Sequence, residues 1–184
     1  GLPDESVSRA VEKSLAKRPA ALAPSLAAVA AGRDAAVAVE RRYTLAPAPG
    51  RGAARWLLTG NEAAGYGAIK GGVRFVAAYP ITPATELLEW MSPALAEVGG
   101  TLVQAEDELA SINMAIGGSY GGVPSLTATS GPGLALMVES LGLAVASETP
   151  LVVIDVMRVG PSTGIPTKSE QGDLNIALYC LHGD

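Results

Sequence analysis

From Leu57 onward the apolar positions change period again and again, from the three-to-four spacing of a helix face to short runs rich in Val, Ile, Leu and Ala, and back. The pattern predicts helices over 61–70, 82–98, 106–120 and 132–147. Between them it predicts strands over 73–78, 101–104, 123–129 and 151–156, with a possible fifth strand around 176–181. Glycine pairs punctuate these elements at Gly71-Gly72, Gly99-Gly100 and Gly121-Gly122. Asn61 or Thr59 is expected to cap the first helix, and Thr82, followed by Pro83, the second. Strands alternating with crossover-length helices specify an α/β fold: a doubly wound, mostly parallel sheet with helices on both faces.

The first forty positions are different. Val7, Val11 and Leu15 share one face of a helix predicted over 4–18, with Asp4 and Glu5 leading, Lys17 and Arg18 closing, and Pro19 ending it. A second, Ala-rich helix is expected over 25–39. Two helices without a strand cannot enclose a core, so this helical tail is expected to dock on a neighbour. The stretch Leu45-Ala46-Pro47-Ala48-Pro49-Gly50-Arg51-Gly52 has linker composition. The expected organisation is a helical tail over 1–44, a linker over 45–56 and the α/β domain over 57–184. Position 1 is not Met and the last residues follow an apolar run, so both ends read as cut from a longer chain.

Composition narrows the partners. The chain has 184 residues and a net charge of −5, with no basic cluster, which argues against nucleic acid or an anionic membrane as the main partner. No apolar run has the length of a membrane span and the start lacks a basic secretory region, so a cytoplasmic setting is expected. One Cys, Cys180, and one His, His182, leave no cysteine set for an iron–sulfur cluster and no support for a His-based metal site or a Cys-His nucleophile. No metal is expected on this chain.

In a doubly wound sheet the chemistry gathers at strand C-termini and the helix starts that follow. Four such junctions are expected to converge: Tyr79-Pro80-Ile81-Thr82, Gln104-Ala105-Glu106-Asp107-Glu108, Thr129-Ser130-Gly131-Pro132-Gly133 and Met157-Arg158-Val159-Gly160. The acidic triplet either complements a helix dipole or aims one carboxylate into a crevice. Arg158 leaves an apolar strand, where its planar fork suits a carboxylate ligand or a buried ion pair. Thr129 to Gly133 lacks P-loop spacing, and the glycines at 65, 67, 71 and 72 do not follow a strand as a dinucleotide fingerprint requires. Lys168, in the turn-rich stretch 160–168, is either a solvated lysine or a ligand for a second carboxylate.

Together Gly60-Asn61-Glu62-Ala63, Tyr79-Pro80-Ile81-Thr82-Pro83, Glu106-Asp107-Glu108, Thr129-Ser130-Gly131-Pro132-Gly133 and Arg158-Val159-Gly160-Pro161-Ser162-Thr163-Gly164 resemble, in this order, the α subunit of 2-oxoacid:ferredoxin oxidoreductases, in the form of the 2-oxoglutarate or broad 2-oxoacid type. The tail is similar to the end of the γ-type domain often fused ahead of α. The resemblance implies a thiamine diphosphate-binding fold that holds the cofactor's pyrimidine half. A glutamate then accepts a hydrogen bond from N1′ of the cofactor. Glu106 matches it, counted back from Thr127-Ala128-Thr129-Ser130-Gly131, and Glu108 is the alternative. Pro80, Ile81, Thr129, Ser130 and Gly131 fall in the cofactor-binding motifs. Thr82 matches a threonine beside the keto acid, and Arg158 an arginine for its carboxylate. Oxidative decarboxylation of 2-oxoglutarate or pyruvate to the acyl-coenzyme A, with ferredoxin reduction, is the implied activity. Gly172-Asp173-Leu174-Asn175 is too short for the magnesium and diphosphate motif. A β subunit is therefore implied to carry Mg2+, the diphosphate site and a 4Fe–4S cluster, in a dimer of heterodimers. The alternatives are a non-catalytic assembly module on the same sheet, or the pyrimidine domain of another thiamine enzyme.

Overall fold

The computed structural model describes residues 3–39, 55–158 and 172–179. The chain divides into two compact units, Gly1–Arg55 and Trp56–Asp184.

In the first unit, α1 (Asp4–Ser14) has Asp4 and Glu5 in its first turn and Lys13 in its last, each charge opposing the helix dipole at its end. α1 stops at Ser14, four residues short of the expected end, so Pro19 does not end it. Pro19 occupies the first position of α2 (Pro19–Val37), where a missing N–H leaves nothing unsatisfied, so the second helix starts six residues earlier than expected. An ion pair of 2.7 Å joins Arg33 to Asp4. Neither helix buries a single residue, as expected of a pair too small to own a core.

The second unit is built on four parallel strands, β1 (Phe75–Ala78), β2 (Thr101–Gln104), β3 (Ser125–Thr129) and β4 (Val152–Asp155), in the order β2-β1-β3-β4. The helices are α3 (Gly60–Lys70), α4 (Thr85–Glu97), α5 (Glu108–Tyr120), α6 (Gly131–Ala146) and α7 (Gly172–Tyr179). Thr59 caps α3 through a reciprocal box: its hydroxyl accepts from Glu62 N–H and Glu62 accepts from Thr59 N–H at 2.7 Å. Gly72, with φ near +102°, then turns the chain toward β1.

Strand alternation sorts the side chains between two faces. Val76, Ala78, Leu126, Ala128 and Ile154 pack with Leu87, Leu88, Met91 and Leu95 of α4 and with Ala64, Ala68 and Ile69 of α3, and this face is apolar throughout. The opposite face meets α5 and α6. It has an apolar cluster of Ile112, Ile116, Met137, Ala144, Leu141, Leu151 and Val153, but nearer the strand C-termini it turns polar. Ser111, Thr127, Thr129, Ser130 and Glu108 are all buried there.

Three expectations need correction. Thr82 is not a helix cap: 82–84 form a turn, and α4 begins at Thr85 behind Ala84, which offers no side-chain cap. The acidic helix starts at Glu108, because Asp107 is its N-cap and Glu106 stands outside it. The apolar run near 176 is no fifth strand but part of α7. The linker stretch 45–54 lies outside the described residues.

Candidate functional site

All strands being parallel, their C-termini lie on one edge, and the order 2-1-3-4 reverses direction between β1 and β3. The turns leaving those two strands diverge to opposite faces and leave a crevice, the usual ligand position in such sheets. The turn after β1 holds Pro80, Ile81 and Thr82, and the turn after β3 holds Ser130 and Gly131. Both sequence-predicted motifs thus flank the switch point.

The β1 turn is clamped from both sides. Asn61, in the first turn of α3, donates through Nδ2 to Pro83 O and to Glu86 Oε2, at 3.3 Å each. Arg158, just past β4, donates through Nη1 to Thr82 O at 3.1 Å across 76 positions of sequence. Pro80 and Ile81 are half-buried beneath, while the Thr82 side chain is exposed. Its hydroxyl faces outward with its backbone fixed. The sequence marked Asn61 as a possible cap and as part of the Gly60-Asn61-Glu62-Ala63 motif, without this clamping role. A side chain holding a backbone carbonyl on another element leaves no periodic trace in sequence.

The acidic triplet divides its labour. Asp107 accepts from Ala110 N–H at 2.7 Å, capping α5, and its carbonyl accepts from the Ser111 hydroxyl at 2.7 Å. Glu108 is buried toward Thr129 and Gly133, where a Cβ added to Gly133 would come 2.7 Å from Glu108 Cγ and overlap Thr129 Oγ1. Glu106 and Asp107 are both exposed, but Asp107 is engaged as the cap, whereas Glu106 makes no hydrogen bond or ion pair among the described residues. It is the one acid of the three left to meet something else.

Thr129 and Ser130 are fully buried. Ser130 Oγ donates to Val156 O at 2.8 Å, Val156 N–H donates to Thr129 O at 2.9 Å, and Thr129 Oγ1 donates to Ser130 O at 3.3 Å. These hydroxyls stitch the β3 exit to the β4 exit. Ser130 gives α6 no side-chain cap; Pro132 has no N–H, and the Gly133 and Leu134 N–H groups donate to Ser130 O at 2.8 and 2.9 Å.

At the β4 exit, Arg158 backbone N–H donates to Asp173 Oδ2 at 3.4 Å. Arg158 Nε and Asp155 Oδ1 are buried without hydrogen-bond partners among the described residues. Burial first, and then the charge of Asp173, push the Asp155 carboxyl up from the usual carboxylate range to about 6. Lys168 and the stretch 159–171, like Cys180 and His182, lie outside the described residues. Among the described residues no cluster of three or more His, Cys, Asp or Glu could hold a metal, and no helix is long and apolar enough to cross a membrane.

A family model described as pyruvate flavodoxin/ferredoxin oxidoreductase, thiamine diphosphate-binding, matches residues 66–182. The 2-oxoglutarate synthase subunit KorA of Methanocaldococcus jannaschii is 53% identical over 127 residues, covering 69% of this chain and 35% of that protein. The alpha subunit of 2-oxoacid:ferredoxin oxidoreductase 1 of Sulfurisphaera tokodaii is 46% identical over 164 residues, covering 83% of this chain and 26% of that protein. Among solved structures, the 2-oxoglutarate:ferredoxin oxidoreductase from Magnetococcus marinus, with 2-oxoglutarate, coenzyme A and succinyl-CoA bound, superimposes with a TM-score of 0.84 at 46% identity. It is matched over 98% of this chain and 32% of its own. The chain therefore spans 26% to 35% of the length of these proteins.

Proposed function

Because the chain belongs to the pyruvate flavodoxin/ferredoxin oxidoreductase thiamine diphosphate-binding family, we propose that it forms the pyrimidine-side part of the active site of a 2-oxoacid:ferredoxin oxidoreductase, with 2-oxoglutarate as the favoured substrate. The complete enzyme would oxidatively decarboxylate the 2-oxoacid to its acyl-coenzyme A and reduce ferredoxin. One observation carries this reading: of three consecutive acids at the β2 exit, Asp107 is engaged as a cap and Glu108 is buried, and Glu106 is exposed with no partner among the described residues. A carboxylate left free at the β2 exit, on the same edge of the sheet as the switch point, suits the ring nitrogen of an aminopyrimidine.

The residues fit one half of the cofactor. Glu106 would accept the hydrogen bond from the pyrimidine N1′, and Pro80 with Ile81 would flank the ring. The backbone at Thr129, Ser130 and Gly131 would close the other side. When bound, thiamine diphosphate supplies the nucleophilic carbon and the electron sink for decarboxylation. The chain's own groups bind and orient. The exposed Thr82 hydroxyl would steer the 2-oxo group, and the Arg158 guanidinium the adjacent carboxylate. Lys168 would serve a distal carboxylate. The diphosphate, Mg2+ and the 4Fe–4S cluster are assigned to a β subunit, in a dimer of heterodimers, with residues 1–44 as the tail of a γ-type domain.

Glu106→Gln in the full-length complex tests this. Glutamine keeps the shape but not the charge of the acceptor, and turnover is expected to fall by at least about a hundredfold with assembly intact. Unchanged turnover would turn the reading toward an assembly module. A complex that reduces NAD but not ferredoxin would turn it toward another thiamine enzyme.

A further inference from the structure

The β4 exit carries chemistry that substrate and cofactor binding leave unused. Asp173, in the first turn of α7, is only 4% exposed, yet none of its described partners is a cation. Its Oδ2 accepts from the backbone N–H of Arg158. Its carboxyl also abuts the start of α6: a Cβ at Gly131 would come 2.5 Å from Asp173 Cγ and 2.6 Å from Oδ2, so only glycine admits the carboxyl. The first turn of α6 contains no acid of its own, and a carboxylate held there meets the positive end of a sixteen-residue helix. Asp155 reaches the same corner from β4 and feels the charge of Asp173.

Three elements therefore meet at one buried carboxyl, and one of the bonds it makes is to the backbone of the residue whose guanidinium grips Thr82 O. The N–H of Arg158 lies beyond the last paired residue of β4, Asp155, and has no sheet partner to fix its height.

We propose that Asp173 is the positioning residue for the Arg158 anion site: it ties the Arg158 backbone to the start of α6 and so sets where the guanidinium stands over the Thr82 turn. This rests on Arg158 being the ligand of the substrate carboxylate. Without the tie, the arginine keeps its charge but loses its register, so substrate affinity falls while other ligands of the enzyme are untouched. Removing the Asp173 charge also takes away the charged neighbour that raises the Asp155 carboxyl. Among the described residues the charged group that acts on Asp155 is Asp173 from α7. Any limb of the pH profile that belongs to Asp155 should move to lower pH.

The test is steady-state kinetics of the full-length complex carrying Asp173→Asn, Arg158→Gln, or both. Asp173→Asn is expected to raise KM for 2-oxoglutarate about tenfold, as loss of a charge-assisted hydrogen bond would. KM for coenzyme A should not change, and the double variant should be little worse than Arg158→Gln alone. If Arg158→Gln raises KM and Asp173→Asn does not, the positioning role is overturned and the substrate reading stands. If Arg158→Gln itself leaves KM unchanged, the assignment of Arg158 fails and the positioning role falls with it. Should Asp173→Asn not assemble, Asp173→Glu decides: it keeps the charge but moves the acceptor by one methylene, and a wild-type KM there overturns the proposal.

Discussion

Gly133 marks the closest approach on the polar face of the sheet. With Glu108 Cγ 2.7 Å from where its Cβ would stand, and Thr129 Oγ1 closer still, no side chain fits without moving a strand or a helix start. Gly133→Ala should destabilise the full-length subunit by about 2 kcal/mol, the scale of overpacking, visible as a lower midpoint in thermal unfolding. Asp155 gives a second outcome. Its folded carboxyl titrates near 6 against an ordinary value of 3.8, so between those values the folded state holds the proton more tightly than the unfolded one. Stability contributed by the neutral acid is thus present at low pH and is lost as pH rises through about 6. Asp155→Asn is expected to be more stable than the parent above pH 6, with the gap shrinking toward pH 4; a pH-independent difference in denaturant midpoint would contradict this. The sequence named both Glu106 and Glu108 for one role, and nothing in residue type separated them. In the fold they differ, since Asp107 is in the cap position, Glu108 is buried and Glu106 lies outside the helix.

At the scale of elements, local chemistry was legible wherever it acts within one turn. Thr59 was one of two caps expected for α3, and the structure makes it the cap, in a reciprocal box with Glu62; Thr59→Ala should cost about 1 kcal/mol, with the loss appearing first as fraying of α3 in hydrogen exchange. The start of α4 was misread for the same local reason. Thr82-Pro83 has the composition of an N-cap and first helical residue, but the Thr82 carbonyl is claimed by Arg158 and the Pro83 carbonyl by Asn61, and the turn they hold delays the helix to Thr85. Distant partners overrode propensity. The run near 176 is short and apolar, a pattern that fits a strand and a buried helix equally, and its identity as α7 was decided by contact with α6. Alternation of strand and helix, by contrast, fixed the parallel sheet and its single functional edge correctly, because crossover length leaves few other topologies.

For the whole molecule, the proposed site is one side of a cofactor pocket. On the proposed function it takes the pyrimidine half, and a β subunit holds the metal-bound diphosphate. Calorimetry on this chain alone is therefore expected to show no thiamine diphosphate binding tighter than micromolar; such binding without a partner would count against a shared site. The two faces of the sheet carry a further consequence. Beneath α3 and α4 lies an apolar cluster, with Leu87, Met91 and Leu95 fully buried, and Met91→Ala should cost about 3 kcal/mol. Beneath the starts of α5 and α6 lie hydroxyls and carboxyls, with the Thr127 hydroxyl unsatisfied among the described residues. Such groups return to water at little loss, so the molecule should open in two stages. Amides of β1 and α4 would exchange only through global unfolding, while those at the starts of α5 and α6 exchange through a smaller, earlier opening. The half of the fold that carries Glu106 and the Thr129 turn is thus the half able to breathe, and the half that anchors Thr82 is its fixed anvil.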